Sequence, residues 1–267
     1  MPPVFFPLYY QLLETYHPVS FTPTTPNISI VKTIPTPSPQ VLGVNTSNTF
    51  YNTINLVLLG DSMIDTLSLD TCQLSFKQYF PKTKVNLLKY GYGSTNIESA
   101  KKRLTETTTY KNSSNPSIIS QNPDIILIES FAYNNFGNSQ SGIDRQTQAL
   151  KELTSTIKEQ LPNTKIILAA TIAPDSISFG NGIKNMYFSA LEKVEKTNTI
   201  KLYLQNIINF ASKNNFALAD AFHPSLFGQN GLPQLISSSD HLHPSNLGTE
   251  LFCDTVAKSI LTNRFIN

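Results

Sequence analysis

The chain has 267 residues, of which 40% are hydrophobic and only 14% charged, and its formal net charge is +2. This length accommodates one domain of roughly 100–200 residues plus an extension, and Asn, Ser and Thr supply the polarity that charges usually provide. So small a net charge, with no Lys/Arg cluster interleaved with aromatics, excludes nucleic acid as a partner.

The first 48 residues hold nine of the 17 prolines and only two charged residues, Glu14 and Lys32. From Thr22 to Pro39 the repeated prolines fix φ, remove donors and favour an extended spacer. Residues 1–48 are therefore expected to be an N-terminal extension with a Pro/Thr-rich linker. Val4 to Leu13 is apolar and aromatic, but Pro7 breaks it, no basic start precedes it, and it is too short to span a membrane. Two readings stand: the remnant of an export or anchor segment, or a strand-like arm packed on the domain. The first is favoured. It implies an extracellular or cell-surface protein whose membrane contact runs only through such an anchor.

From residue 49 to 267 the pattern changes. Ile54–Leu59, Val85–Leu88, Ile125–Ile128, Lys165–Ala170 and Phe216–Ala219 are short apolar runs separated by tens of residues. Strands so spaced need helical crossovers, which predicts a parallel five-stranded sheet covered on both faces. Between them, Gln146–Leu161 sets Leu150, Leu153, Ile157 and Leu161 at helical spacing and ends at Pro162. Asn246–Leu261 likewise predicts a helix with Leu247, Leu251, Phe252, Val256, Ile260 and Leu261 in one apolar stripe. Cys72 and Cys253 have no zinc or redox spacing. Each lies among apolar residues, which predicts two buried thiols rather than a disulfide.

Two groups of residues carry chemistry. Gly60-Asp61-Ser62 directly follows the first strand, where open α/β sheets present their binding and catalytic groups. The glycine permits a sharp turn, and the serine would open the next helix, a place suited to a nucleophile. Far downstream, Asp240 and His243 are three residues apart in Asp240-His241-Leu242-His243-Pro244. Side chains so spaced share one side of a turn, so Asp240 can orient His243 and leave its other ring nitrogen free to take a proton. His241 is the competing base, and Asp220, at the end of the last strand, is the runner-up orienter. The four histidines do not form a two-histidine helical ligand pair, so neither metal nor other cofactor is expected. A Gly-x-Ser-x-Gly elbow is absent around every serine.

These blocks resemble the SGNH/GDSL hydrolases, whose pattern is Gly-Asp-Ser after strand one, a glycine after strand two, an asparagine after strand three and Asp-x-x-His near the C-terminus. The resemblance covers about residues 54–262. It implies a flavodoxin-like three-layer α/β/α sandwich, with residues 49–267 as the SGNH hydrolase catalytic domain. Within Tyr90-Gly91-Tyr92-Gly93-Ser94-Thr95-Asn96 it places an oxyanion glycine at Gly93, with Gly91 as the alternative. The third block departs from the family's Gly-x-Asn-Asp: after Ile128 the chain reads Glu129-Ser130-Phe131-Ala132-Tyr133-Asn134-Asn135, without the glycine. Asn134 is taken as the side-chain donor and Asn135 as the alternative.

The resemblance thus implies a serine esterase with Ser62, Asp240 and His243 as catalytic triad and an oxyanion hole of Ser62, Gly93 and Asn134. Its partners are small-molecule or polysaccharide esters, and a monomer is expected. Polar loops at 105–122, 131–142 and 175–187 tilt the substrate toward an acylated, such as acetylated, carbohydrate. Alternatives are a lipase- or lysophospholipase-like acylhydrolase, an O-acyltransferase, or a non-catalytic carbohydrate-binding surface domain.

Overall fold

Each of the five apolar runs forms a strand of one parallel sheet in the computed structural model, which describes residues 52–266. The proposed N-terminal extension and linker lie outside the described residues. In chain order the elements are β1 (Asn52–Gly60), α1 (Ser62–Asp65), α2 (Leu69–Tyr79), β2 (Thr83–Gly91), α3 (Ala100–Thr105), the short hairpin β3 (Thr108–Tyr110) and β4 (Ser113–Asn115), and β5 (Ile125–Glu129). Then follow α4 (Gln140–Gln160), β6 (Lys165–Ala170), α5 (Ala190–Lys213), β7 (Ala217–Asp220) and α6 (Asn246–Thr262).

The sheet order is β2-β1-β5-β6-β7, all neighbours parallel. Alternation along the strands builds two cores, because successive side chains point to opposite faces. Val57, Leu59, Ile126, Ile128 and Leu168 meet α4 and α5 on one face. Leu56, Leu58, Ile125, Leu127 and Ile167 meet α2 and α6 on the other. The architecture is the expected three-layer sandwich. The order in which strands are added reverses between β1 and β5, the switch point at which such sheets open a crevice at their strand C-termini.

Three expectations change. α4 begins at Gln140, capped by Ser139, earlier than the periodicity indicated. In α6 the buried stripe is Phe252, Cys253, Val256, Ala257 and Ile260, while Leu247 and Leu261 are exposed. Cys72 and Cys253 are not free thiols: they form a disulfide that links α2 to α6 across a Cα–Cα distance of 5.1 Å. Each is buried as expected, but the two helices pack on the same face of the sheet and bring the sulfurs together.

Candidate active site

β1 ends in a turn that only glycine fits: a Cβ at Gly60 would overlap the Ile64 side chain and come within 2.9 Å of Glu129 Cβ. Asp61 then caps α1, its Oδ1 accepting the Met63 N–H at 2.8 Å. Ser62 opens that helix. Its N–H lies in the first turn, where a helix supplies no internal acceptor.

The loop after β5 brings Asn134 to this turn. Its Nδ2 donates to Asp61 Oδ2 at 2.8 Å across 73 residues, which orients the amide and leaves a second hydrogen on the same nitrogen. Asp61 is fully buried. Burial pushes its carboxyl up, opposed by the Met63 N–H, the Asn134 amide and the electrostatic influence of His243 and Arg103.

Opposite, His243 Nδ1 lies 2.8 Å from Asp240 Oδ2, while Asp240 Oδ1 accepts the N–H groups of Leu242 and His243. A carboxylate only accepts, so the tautomer this contact selects has the proton on Nδ1 and the lone pair on Nε2. Nε2 is buried and has no hydrogen-bond partner among the described residues. Burial alone would raise the Asp240 carboxyl, but the His243 ring and the two backbone donors outweigh it and hold it below the ordinary value. Ser62, Asn134 and His243 line one cavity of about 700 Å³.

Neither a family model nor a curated protein matches the sequence. Solved structures do. A lipase/acylhydrolase from Enterococcus faecalis gives a TM-score of 0.55 at 17% identity over 79% of this chain and 96% of its own. A GDSL-like lipase from Bacteroides thetaiotaomicron gives 0.54 at 15% identity over 78% and 88%. An acetylxylan esterase from Geobacillus stearothermophilus gives 0.53 at 15% identity over 79% and 96%. The fold is that of the SGNH/GDSL hydrolases. At such identities the likeness establishes the fold alone.

On the SGNH fold the remaining candidates fall out as follows. Gly93 sits beside Ser62, with 3.8 Å from an added Cβ to Ser62 Cβ, but its N–H donates to Tyr110 Oη at 2.8 Å. Tyr110 in turn donates to Asp65 Oδ2, which Lys111 also contacts, and stacks on Tyr92 at 4.3 Å. Gly93 can serve an oxyanion only by exchanging Tyr110 for it. The positive φ of this loop belongs to Ser94, not to either glycine. Gly91 is packed on the backbone of Ile64 and Asp65, leaving no room for a Cβ, so its part is close approach of α1 to β2.

Asn135 also lines the cavity, yet its amide is used inside its own loop, donating to Ala132 O and accepting from Gly137 N–H. In the Gly-x-Asn-Asp register the absent glycine falls at Ala132, and the left-handed residue of this loop is its neighbour Phe131, at φ 53. His241 is turned away from the cavity, its Nδ1 bonded to Asn181 O at 2.8 Å. Asp220 does not orient His243. It holds His223 instead, Oδ2 to Nδ1 at 2.6 Å, in a second Asp-x-x-His that does not line the cavity.

Sequence reasoning missed two buried charged groups behind the site. Arg103 donates from Nη1 to Gly60 O at 2.6 Å and Tyr90 O at 2.8 Å, tying together the ends of β1 and β2, and burial lowers its pKa to about 10. Glu129, the last residue of β5, accepts Ser130 Oγ–H at 2.6 Å and the Asp61 N–H at 3.3 Å. Burial, then the Asp61 charge, pushes its carboxyl well up. A carboxylate ending a wholly apolar strand is the one sequence signal that could have found it. Among the described residues no group of three or more His, Cys, Asp or Glu could hold a metal ion.

Proposed function

We propose that the chain is a serine ester hydrolase acting on an acylated carbohydrate, with Ser62 as nucleophile, His243 as base and Asp240 as its orienter. The observation that carries the reading is the buried, unpartnered Nε2 of His243, opposite a carboxylate-held Nδ1, in the same cavity as Ser62.

As Ser62 Oγ bonds to the ester carbonyl carbon, its proton passes to His243 Nε2, and Asp240 stabilises the imidazolium. The Ser62 N–H and the free hydrogen of the Asn134 amide support the negative oxygen, joined by Gly93 if Tyr110 yields. The carbon–oxygen bond to the alcohol breaks, and the alcohol leaves with the proton from His243. Water then gives a proton to His243 and attacks the acyl-enzyme, releasing the acid and restoring Ser62.

Two observations support the finer reading. Ser94, Asn135, Asn138 and Thr199 line part of the cavity, a set of side chains that can hydrogen-bond sugar hydroxyls. The α2–α6 disulfide supports an oxidising, exported setting.

The test is hydrolysis of p-nitrophenyl esters together with covalent labelling by a fluorophosphonate, wild type beside Ser62→Ala. We expect labelling to vanish and kcat to fall by about 10⁶-fold. Labelling that survives in Ser62→Ala overturns the nucleophile assignment. Free acid as sole acyl product separates hydrolysis from transfer to a sugar.

A further inference from the structure

The cavity is far larger than an acetyl group needs, and its chemistry is uneven. At about 700 Å³ it has the size of sites that enclose drug-sized ligands. One wall is a row of rings. Tyr133, the neighbour of Asn134, lies 6.5 Å from Phe179, which lies 6.0 Å from Phe188, centroid to centroid. Ile183, Met186 and Leu242, the last beside His243, also line the cavity. The Met186 sulfur closes on the same row, 3.9 Å from where a Gly180 Cβ would sit, while Phe188 would be 3.0 Å from it.

This wall is fastened to the loop that carries His243. The Gly180 N–H donates to His241 O at 3.2 Å, and His241 Nδ1–H donates back to Asn181 O at 2.8 Å. Gly182, at φ +93, packs against the Ser239 carbonyl so closely that no Cβ would fit. Two of these three contacts are backbone against backbone and the third uses the His241 ring, which together hold the apolar wall in a set position relative to Asp240 and His243.

We propose that this row is an acyl-binding track, and that the ester hydrolysed carries a linear acyl chain of roughly six to ten carbons rather than acetyl. The proposal rests on the serine-hydrolase reading and deepens it. The chain would run from the carbonyl held near Asn134 along Tyr133, Phe179 and Phe188, and the polar lining would receive the alcohol. Phe179 is buried within the wall, so a short acyl group would leave the half-buried Tyr133 and Phe188, the latter with Lys196 over its ring, and the exposed Met186 facing water. Each methylene moved from water onto them favours the bound state about fourfold.

The experiment is a series of p-nitrophenyl esters from acetate to dodecanoate, read as kcat/KM, with fluorophosphonate labelling of Ser62 alongside. Wild type is expected to rise by up to about fourfold per methylene and to level off between six and ten carbons. In Ile183→Ala/Met186→Ala the octanoate-to-acetate ratio is expected to drop about tenfold. Met186→Leu is expected to keep that ratio, and Ile183→Trp to move the optimum toward shorter chains. Acetate as the best substrate, or a rising profile that none of these variants alters, overturns the track while leaving the serine hydrolase standing. Absence of both labelling and turnover sinks the hydrolase reading and the track with it.

Discussion

One hydrogen of the Asn134 amide is committed to Asp61 Oδ2, which is itself fixed by capping α1, so the other is left for the proposed oxyanion in the cavity that Asn134 shares with Ser62. Asn134→Ala removes that donor and also the partner of a buried carboxylate. It should lower kcat by roughly 10²–10³-fold with little change in KM, the pattern of a contact made mainly in the transition state. Steady-state kinetics on one p-nitrophenyl ester measure this, and a comparable loss in Asn135→Ala instead would transfer the role. Arg103 acts at the same scale but on the frame: it satisfies the carbonyls of Gly60 and Tyr90, which precede the Ser62 turn and the Gly93 loop.

At the scale of elements, α2 and α6 pack on one face of the sheet and are joined by Cys72 and Cys253, 181 residues apart. Closing so long a loop restricts the unfolded chain strongly. Cys72→Ser/Cys253→Ser should therefore lower stability by about 2–5 kcal/mol. Urea denaturation with and without reductant checks it: wild type should fall to the variant's midpoint when reduced, and coincident curves without reductant would mean that the thiols do not pair in solution. The helices also show where periodicity was misleading. α5 escaped the sequence reading because Leu191 and Val194 in its first turns face solvent, which blurs the apolar stripe. The β3–β4 hairpin is built of Thr, Tyr, Ser and Asn and offers no apolar alternation at all.

For the whole molecule, the switch point between β1 and β5 concentrates charge in a dry place. Asp61 and Glu129 are both fully buried and share one neighbourhood, so burial and mutual repulsion favour a proton on Glu129. Its folded-state pKa lies above the ordinary 4.5, so the folded protein holds a proton that the unfolded chain has lost. Stability from this source is complete below pH 4.5 and drains away as pH rises toward the folded value, with a slope of up to about 1.4 kcal/mol per pH unit. Glu129→Gln copies the neutral acid and should remove that slope. Urea denaturation at pH 5 and pH 7 tests this: wild type should lose more stability between the two than the variant, and parallel losses would mean that Glu129 ionises normally.

What the sequence by itself determined is the part written in neighbouring residues. Runs such as Ile125–Ile128, buried on both faces, could only be strands of a covered parallel sheet, and Gly60-Asp61-Ser62 at a strand end had to lie at the sheet's open edge. The Asp240–His243 contact was equally legible, since a spacing of three within one turn brings the two side chains together whatever surrounds them. Only the tertiary structure decided which asparagine faces Asp61, that Tyr110 holds the Gly93 N–H, that Asp220 serves His223, that two cysteines pair, and that 179–188 becomes an apolar wall beside His243. Apart from the Asp220–His223 pair, these contacts join residues 17 to 181 positions apart. Their partners are chosen by strand order and loop path, which local hydrophobic periodicity does not encode.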